Sequence, residues 1–262
     1  MLMPRIFTAL LLVILVVAGI FYASTGVWFV AIIALSVLAL WEWAKLAQCH
    51  TPRIQVLYTV LGAGLITLIV RLLESPVVIG LTLLVLLFMV RVVIQYQKSA
   101  GLKGIASVRL RLLLGFVLTL LLAKGLIGLQ ALVSPWLLLL SLAVVWVMDT
   151  GAYFSGRRFG KRKLAVHVSP GKSWEGVWGG ALSTFLFACL ILQFAWSEFS
   201  LQDNVLLALL LTAIALFSVF GDLFESVLKR QAGLKDSGRC LPGHGGILDR
   251  IDSLLVAVPL SY

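Results

Sequence analysis

The chain reads as long apolar stretches divided by short polar ones. Runs of about 20 mainly apolar residues, the length at which an α-helix crosses a bilayer core, fall at 6–23, 27–47, 54–73, 77–96, 110–132, 135–155, 177–196 and 204–228. The first and second runs are separated only by Ser24-Thr25-Gly26, the third and fourth by Ser75-Pro76, and the fifth and sixth by Ser134-Pro135. These are turn-forming residues, so each pair is expected to form a helical hairpin. The first run, Ile6 to Ala23 behind Arg5, has the look of a signal sequence. It exceeds the usual apolar core of one and a second run follows at once, so it is read as a retained membrane helix. No 20–50-residue repeat and no disordered linker interrupts the series.

Composition points the same way. Apolar residues make up 61% of the 262 and charged residues 12%, against about 25% charged in a soluble domain. A soluble fold of this length could not hide so much apolar surface, so lipid is the solvent for most of it. The expected fold is all-α: a polytopic integral membrane protein with about eight full transmembrane helices plus a short C-terminal ninth. Residues 1–109 form four N-terminal spans, and 110–262 form a catalytic membrane region with two polar loops. Cys49, Cys189 and Cys240 are odd in number and far apart, which gives neither a disulfide framework nor a zinc spacing.

The net charge of +10 could suggest nucleic acid or topology. With the N-terminus inside, 19 of the 21 Lys and Arg residues fall at inner loops, and only Arg71 and Lys124 fall toward the outside. That asymmetry is the positive-inside pattern; it sets a cytoplasmic N-terminus and removes any need for a nucleic-acid partner. Lys124 lies within a span, where an ionisable residue marks function by default. Snorkelling of its long side chain to the outer surface is the favoured reading.

Two long polar segments remain, both inner: Asp149–Gly176 and Gly221–Asp252. Topology asks for Lys and Arg there, but not for aspartates at the inner ends of membrane helices, where they are costly unless matched. Asp149 is expected to end the sixth helix and Asp222 to sit near the inner end of the eighth. Asp222 and Ser226 share a helix face, with Lys229 a further turn along. Asp249 and Asp252 share one if a helix begins near Leu248. Between them lies the turn Pro242-Gly243-His244-Gly245-Gly246. Carboxylate and hydroxyl oxygens suit Mg²⁺, which is commonly held by one or two carboxylates plus substrate phosphates. Glycines let backbone N–H groups approach phosphate, and Lys229, Arg230, Lys235 and Arg250 could neutralise it. Asp and Ser at helix ends are also good caps and a Gly-rich turn can be only a turn; the constellation, not any single residue, carries the reading. Gly171-Lys172-Ser173 fails as a P-loop because Val166 stands where the first glycine is needed.

The stretch Ser226-Val-Leu-Lys229-Arg230, four residues, Lys235-Asp236-Ser-Gly238, then Leu241-Pro242-Gly-His244-Gly245-Gly246-Ile-Leu-Asp249-Arg250-Ile-Asp252 resembles the signature of the phosphatidate cytidylyltransferase family. Asp149-Thr-Gly-Ala-Tyr153 and Ser169-Pro-Gly-Lys172-Ser173-Trp174-Glu175-Gly176 are similar to family motifs as well. The likeness covers Asp149 to Pro259; before that it rests on the hydrophobic layout and Trp41-Glu42-Trp43. The resemblance implies transfer of CMP from CTP to phosphatidic acid, giving CDP-diacylglycerol and pyrophosphate for phospholipid biosynthesis. The enzyme would lie in the bacterial inner membrane, a homodimer among membrane lipids, with Mg²⁺ as cofactor and a monovalent cation as a candidate companion. It places the metal on Asp222 and Asp249, with Lys229, His244 and Asp252 as further catalytic candidates. Substrate-binding candidates are Asp149, Lys172, Ser173, Ser226, Arg230, Lys235, Asp236, Gly245, Gly246 and Arg250. A related CTP-using enzyme, such as a polyprenol kinase or a cytidylyltransferase for another lipid, is the alternative. A transporter is a weaker one, because the ionisable residues cluster at the inner interface and not at mid-membrane.

A ninth helix is expected to start near Leu248, carry Asp249 and Asp252, and cross outward. Ten residues follow Asp252, about 15 Å of helix against a core of ~30 Å. Family members typically continue with a full span, so the sequence is expected to be truncated relative to them, unless a half-helix is covered by its neighbours.

Overall fold

The computed structural model describes residues 3–195, 200–238, 240 and 245–262. A helix stands at each of the eight expected places: α1 (Met3–Tyr22), α2 (Thr25–Leu46), α3 (Pro52–Ile69), α4 (Ser75–Lys98), α5 (Val108–Gly128), α6 (Pro135–Phe159), α7 (Trp174–Ala195) and α8 (Leu201–Ala232). Among the described residues, α2 to α8 are long and apolar enough to cross a membrane, and the Leu10–Tyr22 part of α1 is a shorter apolar helix. The starts follow ordinary chemistry. Ser24, Ser107, Ser134 and Ser200 each accept a backbone N–H of the first turn, and Pro stands in the first turn of α3, α4 and α6. A single π turn, Leu129–Val133, joins α5 to Ser134.

The expected hairpins are not the main packing units. α2 packs on both α3 and α5, and α7 packs on both α6 and α8. Small residues explain the closest of these seams. A Cβ on Gly180 would stand 2.7 Å from the carbonyl oxygen of Met148, and one on Gly176 would stand 2.8 Å from that of Ala152. Without side chains there, the backbones of α6 and α7 approach closely, which is how membrane helices gain contact when lipid is as apolar as leucine. Leu84, Leu87, Leu186 and Phe194 remain exposed on the outer faces, as a lipid-facing surface requires.

Both polar segments are shorter than expected because their flanking helices run on. α6 continues ten residues past Asp149, so Asp149-Thr-Gly-Ala-Tyr153 is helical and Asp149 does not end the helix. α8 likewise continues ten residues past Asp222 and stops at Gly233, whose φ of +68° suits glycine. With 32 residues, α8 is about 48 Å long, well beyond the ~30 Å core. Some 20 residues from Leu201 span the core, which brings Asp222 to the opposite boundary.

The expected ninth helix begins at Leu248 but is interrupted: α9 (Leu248–Ile251) is followed by a turn and then α10 (Leu254–Ser261). At the break, Asp252 Oδ1 accepts the N–H of Ser253 at 2.8 Å, a local bond that competes with the helical one. α10 is covered by α5, α8, α4 and α6, and Leu255, Val256, Ala257 and Val258 are buried. Tyr262, just past α10, also corrects the snorkelling reading. Lys124 is 6% exposed, with its ammonium 5.4 Å from the Tyr262 ring centre. Trp43 anchors the centre: it is buried, faces Phe224 at 6.4 Å, and donates its indole N–H to the Arg111 carbonyl at 2.8 Å.

Candidate active site

Between α6 and α7 the chain makes an antiparallel hairpin of β1 (Lys163–Ala165) and β2 (Ser169–Ser173). Two ties fix it. The Glu175 carboxylate, in the first turn of α7, accepts the backbone N–H groups of Lys161 and Arg162 at 3.1 Å. Ser173 is buried, and its hydroxyl accepts the N–H of Gly176 at 3.2 Å. The candidate Ser173 is therefore engaged as a helix cap, whereas Lys172 beside it projects the other way. The Lys172 ammonium lies 2.6 Å from Asp222 Oδ2 on α8, and both side chains keep about a quarter of their exposure, 25% and 29%. Ser226 donates to the other oxygen of Asp222 at 3.3 Å, so these two do share a face.

Asp149 meets the same cluster from α6. It is solvent-accessible, receives the Ser253 hydroxyl, and lies within electrostatic reach of Lys172 and Asp222. A Cβ on Gly221 would collide with the Asp252 carbonyl oxygen; glycine there lets α8 press on the α9–α10 junction and brings Asp252 beside Asp222. Burial pushes the Asp252 carboxyl well above the usual range. The charges of Asp222 and Glu225 add to this, against the Ser253 N–H and Lys172.

Asp249 stands in a different setting. Its Oδ1 accepts Lys229 Nζ at 2.7 Å, and its Oδ2 accepts the N–H of Ser237 at 2.9 Å and of Gly246 at 2.8 Å. Burial would raise its carboxyl, but the Lys229 ammonium and these N–H groups outweigh it and hold it below the usual carboxylate range. Lys229 also pairs with Glu225 at 2.6 Å. Gly245 has φ +83°, a turn conformation that glycine adopts without strain. Arg230 reaches the hairpin, its Nε donating to the Val168 carbonyl at 3.4 Å. Lys235, Asp236 and Arg250 are exposed beside the cluster. His244, with Pro242 and Gly243, lies outside the described residues.

Two carboxylates here were not among the sequence candidates. Glu225 is fully buried, and its Oε1 has no partner among the described residues; its four-residue spacing from Lys229 was the available signal. Glu42, on α2, is also fully buried and touches the far loop. A carboxylate inside a membrane span flags function just as Lys124 did.

The donor set suits Mg²⁺. Carboxylates outnumber ammonium groups in the cluster, with Asp149, Asp222, Glu225, Asp249 and Asp252 against Lys172 and Lys229. Among the described residues no three acidic, His or Cys side chains stand close enough to hold a metal ion by themselves.

A profile of the cytidylyltransferase family matches residues 3–262. The phosphatidate cytidylyltransferase of Pseudomonas aeruginosa is 42% identical over 267 residues, covering 99% of this chain and 95% of that protein. That of Haemophilus influenzae is 37% identical over 286 residues, covering 99% and 96%. That of Thermotoga maritima is 47% identical over 128 residues, 47% of each chain. With the match running from end to end of an acid- and lysine-lined membrane site, the chain belongs to the cytidylyltransferase family.

Proposed function

We propose that this chain transfers CMP from CTP to phosphatidic acid, giving CDP-diacylglycerol and pyrophosphate at the cytoplasmic surface of the membrane. The observation that carries the reading is the 2.6 Å pair of Lys172 and Asp222. It joins two polar segments at the point where a helix leaves the bilayer, where a water-soluble nucleotide and a lipid-anchored phosphate can meet.

The phosphate of phosphatidic acid is already an ionised nucleophile near neutral pH. Its oxygen forms a bond to the α-phosphorus of CTP as the bond from that phosphorus to the bridging β-phosphate oxygen breaks, and the electron pair leaves with pyrophosphate. No serine, cysteine or histidine nucleophile is needed. The protein must align two polyanions and neutralise developing charge. Lys172 supplies a positive charge on the hairpin, with Lys229 and Arg230 at the end of α8, Lys235 in the loop that follows and Arg250 on α9. Asp222 and Asp249 would hold Mg²⁺, which supplies charge neutralisation at the phosphates when bound.

The charge asymmetry supports a cytoplasmic N-terminus. Placement in a bacterial inner membrane as a homodimer is supported by the family resemblance; residues 1–109 would supply four membrane helices and 110–262 the catalytic membrane region. The test uses purified protein with phosphatidic acid, Mg²⁺ and CTP labelled at the α- or the γ-phosphate. Label should enter lipid only from the α position; entry from γ would make the chain a lipid kinase and overturn the reading.

A further inference from the structure

We infer that Glu42, in the N-terminal part of the chain, is a positioning residue for the reaction: it holds the loop that presents Asp249. This rests on the proposed CMP transfer and deepens it. Glu42 is fully buried in a membrane span yet has no cationic partner within ion-pair distance among the described residues. Its carboxylate is satisfied entirely by the distant loop. Oε1 accepts the N–H of Ile247 at 3.1 Å, while Oε2 accepts the N–H of Leu248 and the hydroxyl of Ser237, both at 2.9 Å. Bonds to a charged acceptor are the strong kind. These tie α2 to residues about 200 positions away, on both sides of the turn. The approach is so close that a Cβ on Gly238 or Gly246 would collide with the carboxylate.

The consequence for Asp249 follows from counting protons. The Ser237 hydroxyl lies 2.9 Å from Glu42 and 3.1 Å from Asp249 Oδ2, and its oxygen faces the N–H of Asp249 at 3.3 Å. It has one proton to give. Donated to Glu42, it adds nothing to Asp249 Oδ2, whose two lone-pair sites already take the N–H groups of Ser237 and Gly246; Lys229 takes one site on Oδ1, so of about four sites on the carboxylate one, on Oδ1, stays open. Glu42 thus draws the Ser237 hydroxyl away from the filled oxygen and fixes the loop that holds Asp249 in place.

The test compares the full chain in detergent with Glu42→Gln, which replaces one acceptor oxygen by a donor. We expect kcat to fall about 100-fold, the scale of an ångström-level misplacement, with KM for CTP within about threefold. Amide exchange should quicken at Ser237, Gly246, Ile247, Leu248 and Asp249, while α5 and α6 stay unchanged. A kcat within about threefold of the parent overturns the inference, and so does exchange rising equally across the membrane helices, which would make Glu42 a scaffold residue. If Glu42→Gln yields no folded protein, Ser237→Ala decides. It should show the same local exchange signature with about a tenfold loss of kcat; unchanged values would overturn the inference. The exchange comparison uses no substrate, so a parent chain inactive with CTP and phosphatidic acid would refute the reaction and leave the clamp to be judged on exchange alone.

Discussion

The two polar segments solve the same problem in opposite ways. The one between α6 and α7 is braced mostly from within: a strand pair, the Ser173 cap and the Glu175 ties all lie within 161–176, with outer bonds at its turn from Gln97 and Arg230. The one between α8 and α9 has no regular structure of its own among the described residues and borrows its supports, from Glu42 on α2 and from Lys229 on α8. The difference separates the roles. A hairpin with its own internal bracing can carry a cation, Lys172, to a phosphate. Carboxylates that must face one another at fixed separation are better set by helices, and the loop joining them then needs ties from outside. Loss of the Lys172 cation should therefore change substrate handling alone, while damage to the second segment should change both chemistry and local order.

The largest effects should come from the aspartates. Asp222→Asn should abolish measurable turnover and leave thermal stability nearly unchanged, because it loses only Lys172 and Ser226 contacts at a partly exposed position. Removing a metal-binding charge is expected to cost several kcal/mol of transition-state stabilisation. Asp249→Asn should abolish turnover too, but with stability lowered by roughly 1–3 kcal/mol, since it weakens a buried network of three donors. Thermal melts and a Mg²⁺ titration on both variants check this. Near-parental activity in either would remove the metal assignment, and equal melts would show that the loop ties to Asp249 add nothing to its support.

Next in size is Lys172→Ala. It should lower kcat/KM for CTP by about 100-fold, about the cost of a lost charge-assisted contact to a phosphate, chiefly through KM. Arg157→Ala and Arg158→Ala should act weakly. Both arginines are exposed at the end of α6 as ordinary positive-inside residues. Steady-state kinetics with varied CTP separates them, and equal effects from all three would sink the division.

Much of this was legible in the sequence. Eight apolar runs gave eight helices, because span length and hydropathy are local properties, and the Asp222–Ser226 pairing followed from helical spacing alone. The polar segments were overextended because charge within a helix reads as loop in a hydropathy scan, so Asp149–Phe159 and the end of α8 were lost to it. The α6–α7 seam was hidden because glycines such as Gly176 and Gly180 signal close packing only once the partner is known. Glu42 was passed over for the same reason: its partners, Ser237, Ile247 and Leu248, are some 200 residues away, and no periodicity connects them.

A smaller effect tests the crowding of charge. The Asp252 carboxyl is raised well above its ordinary value by burial and by Asp222 and Glu225. In the window between the ordinary and raised values, the unfolded chain binds fewer protons than the folded one, so stability falls as pH rises. In Mg²⁺-free buffer without CTP, Asp252→Asn should flatten that decline, with the gain over the parent growing from acid toward neutral pH. Parallel melting curves for the two proteins would show that Asp252 is not under this pressure.

The smallest expected effect decides whether the hairpin is braced from within. Ser173 is one of the polar residues beside Lys172, so a substrate contact and a structural cap make opposite forecasts for Ser173→Ala. Its side chain is 4% exposed, its hydroxyl faces Gly176 N–H, and Gly156 and Gly160 close over it. Those contacts leave no direction from which a nucleotide could reach the oxygen without opening the α6–α7 seam. Losing such a cap should cost about 1 kcal/mol, a fall in melting temperature of about 2–4 °C for a chain of this size. KM for CTP should stay within about twofold, because Lys172 remains on the same strand and β1 still pairs with it. A KM raised more than about fivefold with an unchanged melt would mean that the hydroxyl leaves its cap to meet the substrate, and that the hairpin opens during the reaction as the second loop does not.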